Sequence, residues 1–249
     1  SLIGTLEKAI LTTSKLATKS HPWIQLDALK ISLENLVTDN PSIDFSSKLE
    51  ATAENSLDPE PPVTGSWKLI GSIEPNAQPQ VANLSIQSLE EHPLVSTPSY
   101  VLNGNGNLDI KARHWAEEIL AAVEVAFNGT NLNAQLPSIA FQGISLNATL
   151  SSKPIAIPDI ISNKDNLDSL IYQIAKSTEH KVDFQGAEFA IPDTASMQWF
   201  SGSLESDHSD SQLQTKLTLG IGIANIGAES VQQISIESKL SIDYRDANA

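Results

Sequence analysis

Five histidines, His21, His92, His114, His180 and His208, are the side chains best able to move a proton or hold a metal near neutral pH. None stands at a His-x-Glu-x-x-His or comparable metal spacing. The densest polar cluster is Asp207-His208-Ser209-Asp210. These are favoured turn residues, so a solvated turn between Leu204 and Leu213 accounts for them better than an acid/base or metal site. No Gly-x-Ser-x-Gly elbow supports a nucleophilic serine. Asp39, Asp44, Asp58 and Glu60 lack calcium-loop spacing. Glu90-Glu91 and Glu117-Glu118 point to opposite sides if extended, as solvated carboxylates do. Gly104-Asn105-Gly106 lies inside an alternating run, where a bulge or close backbone packing suits it better than a phosphate cradle. With no nucleophile, base and orienter in view, the expectation is a protein that does no covalent chemistry and uses no metal or cofactor.

Composition narrows the partners. The 249 residues carry 15 Lys+Arg against 30 Asp+Glu, a net charge of -15. A phosphate backbone or an anionic headgroup layer would be repelled, so nucleic acid is not an expected partner. Cysteine is absent, which removes disulfides, thiolates and Cys-bearing zinc sites. No apolar run approaches the ~18 residues of a membrane-spanning helix. The chain opens at Ser1-Leu2, so a fragment cut from a longer protein is expected. Trp23, Trp67, Trp115 and Trp199 are scattered and read as core or rim residues, not as an aromatic platform for sugars.

The elements that would position any site are mostly strands. Val123, Val125 and Phe127 alternate, as do Ile144, Leu146, Ala148 and Leu150. The cleanest runs are Leu213, Leu217, Leu219, Ile221, Ile223 and then Ile234, Ile236, Leu240, Ile242. Ser, Thr, Asn, Gln, Lys and Glu fill the positions between. Such period-two strands have one apolar and one wet face and belong to antiparallel sheets. Asn128-Gly129 between two alternating stretches predicts a hairpin, and a second one is expected with its loop at Asn225–Glu229. Near-helical spacing predicts an N-terminal helix ending before His21-Pro22, and Leu167, Leu170, Ile171 and Ile174 predict a helix over 160–177. Trp115–Ala122 is open between a short helix and strands. The expected fold is therefore mainly β: an antiparallel meander, curled into a groove or paired into a sandwich, with those two helices. A single elongated domain is expected over 1–249, with a possible subdivision near 151–160.

Several stretches carry a resemblance. Thr5-Leu6-Glu7-Lys8 through Leu16 is followed by Trp23-Ile24-Gln25-Leu26-Asp27-Ala28-Leu29-Lys30-Ile31-Ser32-Leu33. Gly104-Asn105-Gly106-Asn107-Leu108-Asp109-Ile110-Lys111-Ala112-Arg113, Val123-Glu124-Val125 and Ile139–Leu150 continue the style. This texture resembles the AsmA-like proteins of the Gram-negative envelope, in particular their YdbH-like branch. The resemblance covers most of the chain and rests on no catalytic motif. It implies a periplasmic, envelope-spanning protein whose sheets form an aliphatic groove for phospholipid acyl chains, without enzymatic activity. The chain departs from that pattern in lacking a membrane anchor and in its shortness, so membrane-anchored flanking segments would lie outside it.

Two functions follow as expectations. One is a lipid-binding or lipid-conducting envelope module, with phospholipid or fatty acid held by Ile144, Leu146, Leu217, Leu219, Ile221, Ile234, Ile236 and Leu240. The other is a secreted or surface β-sandwich for adhesion or assembly, with the same residues sealed in a core and a protein partner bound by loops. Periodicity alone does not separate an open groove from a sealed core.

Overall fold

The computed structural model describes residues 8–17, 24–34, 41–51, 65–89, 93–97, 101–116, 120–136, 138–156, 177–208 and 212–243. They form β1 (Lys8–Ala17), β2 (Ile24–Glu34), β3 (Ser42–Ala51), β4 (Gly65–Glu74), β5 (Gln80–Ser88), β6 (Val95–Ser96), β7 (Val101–Trp115), β8 (Leu120–Gln135), β9 (Ala140–Ser152), β10 (Ile155–Ala156), β11 (Thr178–Ile191), β12 (Ala195–His208), β13 (Gln212–Ile226) and β14 (Glu229–Asp243). All belong to one antiparallel sheet, not closed into a barrel. Its path is β1-β2-β3-β4-β5-β7-β8-β9-β11-β12-β13-β14, with β6 attached to β7 and β10 to β8. Twelve strands at about 4.8 Å spacing span roughly 50 Å along the hydrogen-bonding direction.

Ladder partners share a face, so the register can be followed from strand to strand. One row runs Phe45, Gly71, Leu84, Ile110, Val125, Leu150. Its neighbour runs Leu69, Ile86, Leu108, Phe127, Ala148, Val182, Leu204, Leu217. The opposite face carries Asp44, Ser72, Asn83, Lys111, Glu124 and Ser151 in one row. Thr149, Lys181, Glu205, Lys216 and Lys239 lie in another. One face is thus aliphatic and the other charged, as the alternation requires.

A crease crosses this sheet. Gly104, Asn131, Gly143, Trp199 and Gln233 all have positive φ, and the ladder places them at one level in β7, β8, β9, β12 and β14. Register shifts flank the level in β7–β8 and β8–β9. In β8 the apolar positions pass from Phe127 and Gly129 to Leu132 and Ala134, so the phase of alternation slips by one. Beyond it, Ala134, Phe141, Phe189, Met197, Ala224 and Val231 resume a single apolar row. Bulges of this kind bend a strand and increase its twist. Asn133 holds the crease locally, its Oδ1 accepting from the Gly143 N–H at 2.8 Å and its Nδ2 donating to the Asn131 carbonyl at 2.6 Å.

Several sequence expectations are corrected. Asn128-Gly129 is not a hairpin but lies inside β8, because the phase slip beyond it comes from the bulge at Asn131 and not from a turn. Residues 8–17 are strand β1, not a helix; Ala9, Leu11 and Leu16 face Leu33, Ile31 and Leu26 across the ladder. Between Trp115 and Leu120 the chain leaves β7 and enters β8, with Ala116 in a turn, so no helix occupies 120–122. The helix expected over 160–177 falls outside the described residues but for Ser177. The second hairpin is found: β13 and β14 are joined through Gly227-Ala228. Gly104 is at a bulge, as its setting suggested. No second sheet faces the first among the described residues, so the sandwich alternative has no counterpart there.

Candidate functional site

The aliphatic face is the most distinctive surface, and glycine–aromatic pairs shape it. Phe45 lies over Gly71, Phe200 over Gly186 and Phe184 over Gly202; a Cβ on any of these glycines would run into the ring. Leu94 and Phe127 cover Gly106, while Phe127 and Leu132 cover Gly129. A phenylalanine on a single-layer sheet would otherwise stand out into solvent. Opposite glycine it lies flat and shields the backbone. Phe184 and Phe200 are 6.3 Å apart and tilted by 50°. The rings therefore become floor, and Leu, Ile and Val supply the remaining surface.

That surface is not sealed by the described residues. Extensive contacts between elements are confined to hydrogen-bonded neighbours. No described large side chain is fully buried. Leu204 is 37% exposed, Ile236 43% and Leu240 56%. A local cluster of buried side chains forms where β6 folds in. There the Trp67 indole N–H donates to the Leu94 carbonyl at 3.1 Å, and Leu94, Leu132 and Ala134 are buried.

All eight residues singled out from the sequence share this face. Leu146, Leu219 and Ile236 lie in one row through Phe184 and Gly202. Ile221 faces Ile234, Ile144 faces Leu132, Leu217 faces Leu204, and Leu240 faces Thr215. Ile223, by contrast, lies beyond the crease in a row with Glu188, Gln198 and Gln232, so it belongs to the wet face. Phe45, Leu69, Leu84, Ile86, Leu108, Ile110, Val125 and Phe127 also belong to the face, whereas Ile70 and Ala126 lie on the charged one; their spacing was visible, but their side of the sheet was settled only by the register.

The two largest hollows among the described residues lie on the charged face, where sequence reasoning did not look. One, of about 670 Å³, is bordered by Lys30, Asp44, Ile70, Asp109, Lys111 and Glu124. The other, of about 760 Å³, is bordered by Glu179, Lys181, Glu205, Lys216 and Lys239. Both open widely because serines and Ala126 stand between the charged side chains. The charges around the second hollow are largely compensated by ion pairs. Lys181 contacts Glu205 at 3.1 Å and Asp183 at 3.6 Å, and Lys216 and Lys239 share Glu237 at 3.6 and 3.7 Å. Glu205, and then Asp183, hold the Lys181 ammonium above its ordinary pKa.

The polar candidates do not assemble. His114 Nδ1 lies 2.9 Å from Gln80 Oε1, a pair at the strand ends. His180 falls in the aliphatic row between Leu150 and Ser206. His208 ends β12 beside Leu213, while His21 and His92 lie outside the described residues. No group of three His, Asp or Glu suited to a metal occurs among the described residues. Trp67 and Trp115 are half-buried, Trp199 is 70% exposed at the crease, and Trp23 lies outside the described residues. Comparison with known proteins adds nothing to this geometry: no family model, curated protein or solved structure matches the chain.

Proposed function

We propose that the aliphatic face holds the acyl chains of a phospholipid or fatty acid, making this chain a lipid-binding or lipid-conducting module of the bacterial cell envelope. The observation that carries the proposal is the run of apolar ladder rows from β3 to β13 with half-exposed side chains and no second layer among the described elements. Apolar patches of this extent on a soluble surface mark interaction sites. Half-burying a sixteen-carbon chain removes roughly eight methylenes from water, about 6 kcal/mol before the costs of association. Acyl chains present no polar atoms, so recognition needs no polar motif. The resemblance to AsmA-like envelope proteins supports the same reading, and a periplasmic location is what that resemblance implies. The hollows on the charged face do not match such a ligand.

Mass spectrometry of an organic extract from the purified protein, beside a matched soluble control, tests the proposal. Enriched phospholipid or fatty acid is expected. Leu219→Glu should abolish that enrichment, whereas Thr218→Glu, one residue away on the charged face, should keep it. A clean extract from folded wild-type protein, or lipid retained equally by both variants, would overturn the proposal.

A further inference from the structure

The two edges of the sheet differ in a way that fits them to each other. β14 pairs only with β13, and β1 only with β2, among the described residues. From Glu229 to Ser241 every residue of β14 except Ile234 is exposed. An open edge presents a row of backbone donors and acceptors that templates another strand. β14 carries Glu229, Glu237 and Asp243 against Lys239, a net charge of -2. β1 carries Lys8 and Lys15 and no acid, a net charge of +2.

Strand parity adds a second constraint. Twelve strands lie on the antiparallel path, so β1 and β14 run in opposite directions. A translated copy therefore offers its β1 to β14 in the antiparallel sense, with its aliphatic positions on the same side of the sheet. Opposing Lys8 to Asp243 brings Leu11 opposite Leu240 and Ile10 opposite Ser241. Leu11 and Leu240 both occupy aliphatic-face positions, by their ladder partners Ile31 and Thr215. Over Lys8–Thr13 against Ser238–Asp243, this register satisfies both the Lys8–Asp243 pair and the match of faces. Pairing β14 with a second β14 would also be antiparallel, but it would set two strands of net charge -2 against each other.

We propose that β14 takes β1 of a second copy of this chain as its next strand. The antiparallel sheet and its aliphatic face then run on from one molecule to the next. The contact is head-to-tail, so it need not close and larger assemblies can form. It needs no lipid, and its test is independent of the acyl-chain reading.

The absence of cysteine makes disulfide trapping clean, since an introduced thiol is the only one. Directly opposed residues of an antiparallel pair come within disulfide reach. Ile10→Cys and Ser241→Cys are made singly, checked for fold by circular dichroism, and oxidised alone and mixed. A disulfide dimer formed only in the mixture is expected. In sedimentation velocity the wild-type mass should rise above 26.8 kDa with concentration and fall as salt is raised. A dimer formed by Ser241→Cys alone would mean self-pairing of β14 and would overturn the proposal. So would a wild-type protein that stays monomeric at every concentration, whatever becomes of the two variants.

Discussion

Replacing Gly104 by alanine tests the crease directly. Gly104 has φ +127°, a region that L side chains rarely adopt. An added Cβ would stand 2.7 Å from the Asn131 carbonyl oxygen, 2.9 Å from Leu132 Cα and 2.9 Å from the Thr130 carbonyl oxygen. All three are backbone atoms of the neighbouring strand, so no side chain can swing aside. Backbone strain alone costs about 1–3 kcal/mol. With the clash added, about 2–4 kcal/mol is expected, a large part of the ~5–15 kcal/mol that stabilises a typical protein. With a urea slope of about 3 kcal/mol/M, the unfolding midpoint should fall by about 1 M. Gly220 is the control. A Cβ there meets nothing closer than 3.8 Å, and alanine should be neutral or gain up to about 1 kcal/mol by restricting the unfolded chain. Urea titrations of both variants followed by circular dichroism decide the matter. Equal shifts at the two positions would refute the crease as a required backbone geometry.

Three further outcomes are expected. Phe200, 6% exposed over Gly186, should cost about 3 kcal/mol as Phe200→Ala, whereas Trp199→Gly next to it should be neutral or stabilising by up to about 1 kcal/mol, because Trp199 is 70% exposed at φ 56°; thermal melts of the two variants check the contrast. The buried Ser66 hydroxyl has no hydrogen-bond partner among the described residues, so Ser66→Ala should hold or raise the unfolding midpoint, and a loss above about 1 kcal/mol would show a partner is present. The ammonium of Lys181 is held above its ordinary value by Glu205 and then Asp183, so its folded-state pKa exceeds the unfolded one; on the alkaline side its contribution is complete below 10.5 and disappears as pH rises through the higher folded value, and the midpoint difference between wild type and Lys181→Met should shrink as pH rises through that range.

Much of the sheet was legible because one residue type per face is a local signal. Leu217, Leu219 and Ile221 announce a strand, and Ile226-Gly227 announces the turn into β14. Bulges were not legible, because a phase slip looks the same whether a turn or a bulge causes it. Val125 and Phe127 followed by Leu132 and Ala134 suggested two strands around Asn128-Gly129, yet they belong to one strand bent at Asn131. In β1 the odd separation of Ala9 and Leu16 imitates helical spacing, while the ladder sets both on the aliphatic face. The eight candidate residues were found from alternation alone; that Ile223 lies on the other side could not be, since it continues the period of Leu219 and Ile221 without a break.

The sequence by itself determined the fold class, the acidity, the lack of any thiol and the two-faced character of the strands, since each follows from residue types and their period along the chain. Only the tertiary structure decided that the strands form one unclosed layer. Closure, a second layer and the line of bulges all depend on hydrogen-bond partners far apart in the chain. Local spacing makes a face apolar. Long-range pairing determines whether that face is covered.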